Sequence, residues 1–88
     1  MNSEIDSFPV RFSQTARKHK IGRGHVLFVM ERYDGIELKV PAGLEPRYLW
    51  VGVDSRNVEL EVIAVLTKDY WLVIHAMPYQ FRRGANVN

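Results

Sequence analysis

One histidine near the end of the chain has a side chain suited to proton transfer. His75 lies in an apolar run at residues 70–77, and a regular strand would place it on one face with Trp71, Val73 and Met77. An ordinary imidazole titrates close to neutral pH, which suits a general acid or base. A hydrogen-bonded core histidine is the more common structural interpretation of such a position. We therefore treat His75 as a catalytic candidate and keep the structural interpretation open.

Cationic residues are concentrated near the start of the chain. Residues 11–33 contain six Lys or Arg and one acid, although the whole chain has a formal charge of only +2. Residues 34–69 offset the excess, since they carry four bases and seven acids. A basic surface attracts polyanions such as RNA, whereas a solvated helix face is an equally good interpretation of a charge run. The RNA-binding candidates here are Arg17, Lys18, Lys20 and Arg23, and a helix would turn Arg17 and Lys20 the same way.

The segment that follows Pro78 mixes aromatic rings with cations. Tyr79 could stack on an unpaired base, and we include it among the RNA-binding candidates. Arg82 and Arg83 could stabilise the negative charge that develops on a phosphate during cleavage, so we treat them as catalytic candidates. A disordered basic end or a protein-docking segment would have the same composition.

Several kinds of site are excluded or disfavoured by composition and spacing. The chain has no cysteine, which removes disulfides, thiolate zinc sites and cysteine nucleophiles. His19, His25 and His75 lack metal-ligand spacing, so we predict no metal. Gly22-Arg23-Gly24 lacks the third glycine of a dinucleotide loop, and we predict no cofactor. No signal peptide or membrane span is recognisable, which favours a cytoplasmic protein without membrane contact.

The hydrophobic periodicity predicts an α+β domain that positions these residues. Ser13 is a plausible N-cap for a helix at residues 14–20, and apolar positions three and four apart predict a second helix at residues 23–33. Residues 8–12 predict a short extended lead-in. Alternating patterns predict strands at residues 36–40, 48–53, 58–66 and 70–77, with Glu59 and Glu61 facing solvent. Two short N-terminal helices packed on a four-stranded antiparallel sheet follow from this order.

The chain is short enough to form one domain over residues 1–88, in which residues 1–7 and 84–88 are expected to be flexible.

The layout of the chain resembles the BrnT-like toxins of the RelE/ParE superfamily of bacterial type II toxin–antitoxin systems. Ala16-Arg17-Lys18-His19 is similar to the family's RKHG element, and residues 73–78 resemble its last-strand motif. Lys20 stands where the family commonly has glycine. His75 and Met77 stand where it usually has serine and arginine.

The resemblance implies a RelE/ParE-like fold and a toxin that acts as a metal-independent endoribonuclease, cleaving RNA and inhibiting translation. It further implies two partners: mRNA, which could be bound on the ribosome, and a cognate antitoxin that forms a hetero-oligomer with the toxin. A non-catalytic RNA-, ribosome- or protein-binding module of the same fold is the alternative. A small structural subunit stabilised by an acidic partner is a third hypothesis, from a different functional class.

Overall fold

The computed structural model describes residues 8–79 as a five-stranded mixed sheet with helical elements. The sheet order is β1-β5-β4-β3-β2, in which β1 runs parallel to β5 and the other neighbours are antiparallel. The predicted α+β class is confirmed. In chain order the elements are β1 (Val10–Phe12), a 3₁₀ helix (Thr15–Arg17), α1 (Arg23–Arg32), β2 (Ile36–Leu38), β3 (Arg47–Val53), β4 (Glu59–Leu66) and β5 (Trp71–Pro78).

The predicted four-stranded antiparallel sheet is wrong at one edge, where the lead-in segment forms β1. Val10 lies opposite Trp71 and Phe12 opposite Val73, in parallel register. Parallel strands need a long crossover, and here the rest of the sheet and α1 supply it. No local turn signal could therefore reveal the pairing. The buried side chain of Val10 joins the core and holds the edge strand in place.

The predicted first helix at residues 14–20 is also wrong, since only the 3₁₀ helix forms there. Ala16 is the one residue of this element that the core buries, so little packing energy offsets the cost of nucleating an α-helix. Lys20 then adopts a φ of 56°, which lies in the left-handed region. The backbone N–H of Lys20 still donates to Arg17 O at 3.0 Å, so the turn continues to Lys20, where the chain leaves the helical conformation.

Helix α1 confirms the second predicted helix and supplies one layer of the core. Gly22 is its extended N-cap, and Val26, Val29 and Met30 are completely buried. They pack on the sheet face that carries Trp50, whose ring meets Trp71 edge-on with the centroids 5.2 Å apart. This face and α1 form the main hydrophobic core, together with Val10, Ala16, Leu60, Val62, Ala64, Trp71, Val73 and Ala76.

A β-bulge in β5 determines which side of the sheet carries the histidine. Val73 lies opposite Ala64 and His75 opposite Ile63, so Ile74 has no residue opposite it on β4. The extra residue reverses the alternation. The prediction that His75 shares a face with Trp71 and Val73 is therefore wrong, because those two residues point into the core.

The side of the sheet opposite α1 will be called the open face. In the part of the chain that the structure describes, the buried residues of both helical elements belong to the core on the other side. Side chains on the open face are mostly aliphatic and half-buried. By register and alternation it carries Arg47, Leu49, Val51, Glu61, Ile63, His75 and Met77.

Candidate functional site

His75 and Glu61 form a hydrogen-bonded pair on the open face. His75 Nε2 lies 3.0 Å from Glu61 Oε2, with 32% of the imidazole side chain exposed but only 5% of the glutamate side chain. The prediction that Glu61 faces solvent is wrong. Glu61 lies on β4, which has β3 on one side and β5 on the other, and its side chain is buried between them.

The pairing gives the two ring nitrogens of His75 different roles. An ionised carboxylate can only accept hydrogen bonds, so in the neutral imidazole Nε2 donates to Glu61 and Nδ1 keeps the lone pair. The lone pair can accept a proton from a bound hydroxyl. A buried carboxylate also stabilises an imidazolium once it forms. The pair therefore has the chemistry of a general base that later returns the proton as an acid.

The polar residues after β1 hold the bulge that orients His75. The backbone N–H of Ser13 donates to Val73 O at 2.9 Å, and the Thr15 hydroxyl donates to Ile74 O at 2.9 Å. The two hydroxyls of Ser13 and Thr15 lie 2.9 Å apart. These contacts place the 3₁₀ helix beside β5, the strand that carries His75.

The predicted RNA-binding cations are all exposed, but one of them is also tied to the fold. Arg17, Lys18 and Lys20 are exposed around the 3₁₀ helix, and Arg23 is exposed at the start of α1. The Arg23 guanidinium also donates to Val10 O at 2.8 Å and lies 5.1 Å from the centre of the Phe12 ring. Arg23 therefore ties α1 to β1, and its removal would loosen the sheet edge.

The remaining predicted site residues lie at or beyond the end of β5. Tyr79 follows β5 directly and is half-buried. Arg82 and Arg83 lie outside the described residues, as do the two termini expected to be flexible. The structure therefore brings the 3₁₀ helix beside the strand that carries His75, and the catalytic contribution of Arg82 and Arg83 stays a prediction.

A second imidazole–carboxylate pair was missed from the sequence. His25, at the start of α1, places Nδ1 3.6 Å from Asp54 Oδ2 in the β3–β4 turn. Arg56 also approaches that oxygen, with Nη2 at 2.7 Å and Nε at 3.1 Å. The backbone N–H groups of Arg56 and Val58 donate to the other carboxylate oxygen at 2.8 and 3.1 Å. The side chain of Asp54 is completely buried.

These contacts set the charge state of Asp54. Burial raises the pKa of its carboxyl, but the side-chain and backbone hydrogen bonds and the charge of Arg56 outweigh burial, so the net pKa is lowered. The available signal was the turn Asp54-Ser55-Arg56-Asn57, where aspartate commonly bonds backbone N–H groups ahead of it. Nothing in the spacing of these residues indicated that His25 would join the cluster.

Residues 8–79 contain neither a candidate metal centre nor a candidate membrane-spanning helix. No group of three or more His, Asp or Glu side chains there is arranged to hold a metal ion. None of the helices in the same range is long and apolar enough to cross a membrane.

The comparisons with known proteins found no relative of this chain. No family model matches the chain, and no curated protein or solved structure matches it either.

Proposed function

We propose that this protein is the cytoplasmic toxin of a bacterial type II toxin–antitoxin system and acts as a metal-independent endoribonuclease. The observation that carries the proposal is the His75–Glu61 pair, a half-exposed imidazole 3.0 Å from a buried carboxylate. The exposed cations around the 3₁₀ helix add electrostatic attraction for RNA. The resemblance to BrnT-like toxins supplies the biological setting, with mRNA as substrate and a cognate antitoxin as partner.

The proposed reaction starts at the 2′-hydroxyl of the RNA. His75 Nδ1 takes its proton, the 2′-oxygen attacks the adjacent phosphorus, and the bond from phosphorus to the 5′-oxygen breaks. The protonated imidazole then returns a proton to the leaving oxygen, which leaves a 2′,3′-cyclic phosphate and a 5′-hydroxyl. Glu61 holds the ring and stabilises its charged form. General acid–base catalysis of this kind contributes about 10²–10⁴ in rate.

A binding module without catalysis is the second candidate, and one observation favours it. Apart from Arg47 and the His75–Glu61 pair, the central positions of the open face are aliphatic, with Leu49, Ile63 and Met77 half-buried there. Aliphatic surface of this kind suits docking to a protein. The module could bind RNA, the ribosome or a protein partner.

Induction in a bacterial host, followed by mapping of RNA 5′ ends, separates these functions. The wild-type chain is expected to arrest growth and produce new 5′ ends, and His75→Ala is expected to lose both. The purified protein should cleave RNA equally well in the presence of EDTA. Rescue of growth by co-expression of the adjacent reading frame would identify the antitoxin.

Each outcome has a defined meaning. Arrest without new 5′ ends would support the binding module, and loss of cleavage in EDTA would contradict the metal-independent reaction. If the chain neither arrests growth nor cleaves RNA, both toxin functions are wrong. A folded His75→Ala variant with wild-type cleavage would remove His75 from the mechanism.

A further inference from the structure

Arg47 is a cation on the open face, and no carboxylate among residues 8–79 forms an ion pair with it. It begins β3, opposite Leu38 on one side and Val65 on the other. Its neighbour Tyr48 packs in the core against Trp50 and Trp71. Since side chains alternate along a strand, Arg47 projects to the face that carries His75 and Glu61.

The guanidinium of Arg47 has an unmet hydrogen-bonding requirement. Its Nε atom is buried and has no hydrogen-bond partner, and the described residues 8–79 provide no carboxylate for an ion pair with it. A buried donor of a charged group is costly when unpaired. The contrast with Arg56 is informative, because Arg56 uses the same atoms to bind Asp54. The two terminal nitrogens of Arg47 are not among the buried unpartnered atoms, so an oxyanion from outside the chain can reach them and neutralise the guanidinium.

The distance across the sheet indicates which oxyanion would fit. Arg47 and His75 are on strands separated by β4, or about 10 Å across the sheet at two strand spacings. Arg47 lies opposite Val65 and His75 opposite Ile63, so the two are also offset by two residues along β4. This separation favours contact of Arg47 with a phosphate of a neighbouring nucleotide of the same RNA strand. Planar, bidentate recognition of phosphate is the characteristic use of a guanidinium.

We propose that Arg47 binds a phosphate of the RNA strand next to the cleaved bond and so positions the strand across the open face. The identification of the bound strand as RNA rests on the proposed function. Arg47 has a binding role, distinct from the proton transfer by His75. The cation on the open face would therefore come from β3, whereas β5 carries the uncharged Met77 there.

Binding of a short RNA whose 2′-hydroxyls are methylated tests Arg47 without requiring cleavage. The full chain and its variants are titrated with the labelled oligonucleotide. We expect Arg47→Ala to weaken binding about tenfold, as loss of one charge-assisted contact predicts. Arg47→Lys should recover only part of the affinity, since it keeps the charge but loses the planar fork. The slope of log affinity against log salt should fall by about 0.7 in Arg47→Ala.

Arg32→Ala is the matched control, because it also removes one positive charge. Arg32 lies at the end of α1, where its guanidinium is 4.4 Å from the centre of the Phe28 ring on the other layer. We expect its affinity to stay within about twofold of wild type. Equal weakening in both variants would overturn the proposal, because the effect would then come from net charge.

A cleavable RNA separates this proposal from the proposed function. Loss of binding energy shared by the ground and transition states raises KM and leaves kcat nearly unchanged. Arg47→Ala should therefore raise KM about tenfold. Normal oligonucleotide affinity in a folded Arg47→Ala variant overturns the role of Arg47 even if wild type cleaves. If wild type binds through Arg47 but cleaves nothing, the catalytic function fails while the phosphate contact stands.

Discussion

The two imidazole–carboxylate pairs of this protein are built from different parts of the fold. Asp54 receives hydrogen bonds from its own turn, through two backbone N–H groups and the side chain of Arg56. His25 is a looser neighbour, with 3.6 Å between its Nδ1 and the carboxylate. Glu61 is instead joined to His75 across two strands at 3.0 Å. One pair closes a turn, and the other lies on a sheet face.

The difference shows that a histidine beside a buried carboxylate is not by itself a sign of catalysis. The charge of Asp54 is already compensated by Arg56 and by local backbone dipoles, which stabilise the turn. The 3.0 Å hydrogen bond that His75 Nε2 donates to Glu61 fixes a half-exposed ring on the open face. We therefore expect the first pair to control stability and the second to control activity.

The largest expected effect is on catalysis and separates the two histidines. We predict that His75→Ala lowers the cleavage rate by about 10²–10⁴, whereas His25→Ala changes it by less than about threefold. Cleavage of a labelled RNA under single-turnover conditions measures both rates. Circular dichroism provides the folding control. A large loss in His25→Ala alone would reverse the proposed roles of the two pairs.

The next largest effect is on stability and separates the two carboxylates. We predict that Asp54→Asn lowers the free energy of unfolding by about 2 kcal/mol, because the buried carboxylate loses its charge-assisted hydrogen bonds while Arg56, whose side chain is 48% exposed, stays solvated. Glu61→Gln should change it by less than about 1 kcal/mol, since the amide oxygen still accepts a bond from His75. Urea denaturation at neutral pH measures the two values.

The acid dependence of the same experiment tests the charge of Asp54. Its pKa is lower in the folded state, so its ionised form stabilises the fold above the unfolded-state pKa of about 3.9. That contribution is lost as the pH falls through the folded pKa. The difference between wild type and Asp54→Asn should therefore be full at pH 7 and shrink below about pH 4. A difference that stays constant down to pH 2.5 would contradict this origin.

A smaller effect is expected from the exposed cations beside β5. Binding through five or six phosphates gives a log–log salt slope of roughly −4 on single-stranded RNA. We predict that Arg17→Ala and Lys18→Ala each reduce its magnitude by about 0.7 with unchanged stability. Arg23→Ala should mainly lower stability, because its guanidinium bonds β1. Fluorescence titrations across salt concentrations supply the slopes, and slopes unaffected by the two exposed cations would argue against their contact with RNA.

Local patterns predicted the fold where packing agrees with them. The spacing of Val26, Val29 and Met30 predicted α1, and alternation predicted the four antiparallel strands. Strand β1 escaped prediction because its partner β5 lies at the other end of the chain. The prediction of the first helix was wrong because helix propensity alone does not offset the cost of nucleation when an element buries only Ala16.

The candidate site was predictable in residue type but not in arrangement. His75 stood out as a polar residue in an apolar run, but strict alternation assigned it to the wrong face. The bulge at Ile74 has no signature in the residues around it, and its stabilising contact comes from Thr15. Glu61 could not be identified as its partner, because an alternating strand gives no indication that a carboxylate on the outer face is covered.

The smallest expected effect concerns the backbone at Lys20, which follows the exposed cations Arg17 and Lys18 of the 3₁₀ helix. A lysine at a φ of 56° costs about 1 kcal/mol relative to glycine, offset in part by the greater freedom of glycine in the unfolded chain. We predict that Lys20→Gly raises the free energy of unfolding by about 0.5 kcal/mol and reduces the salt slope of RNA binding by about 0.7. Thermal and urea unfolding measure the gain.

Lys20→Ala separates the backbone from the charge. It removes the same cation but keeps a side chain in the left-handed conformation, so we expect the weaker RNA binding without the gain in stability. Equal stabilisation by alanine and glycine would instead mean that Arg17, Lys18 and Lys20 repel one another in the folded state. The charges of the Asp54 turn stabilise the fold. The cations beside β5 would instead reduce stability, and they would be kept for binding.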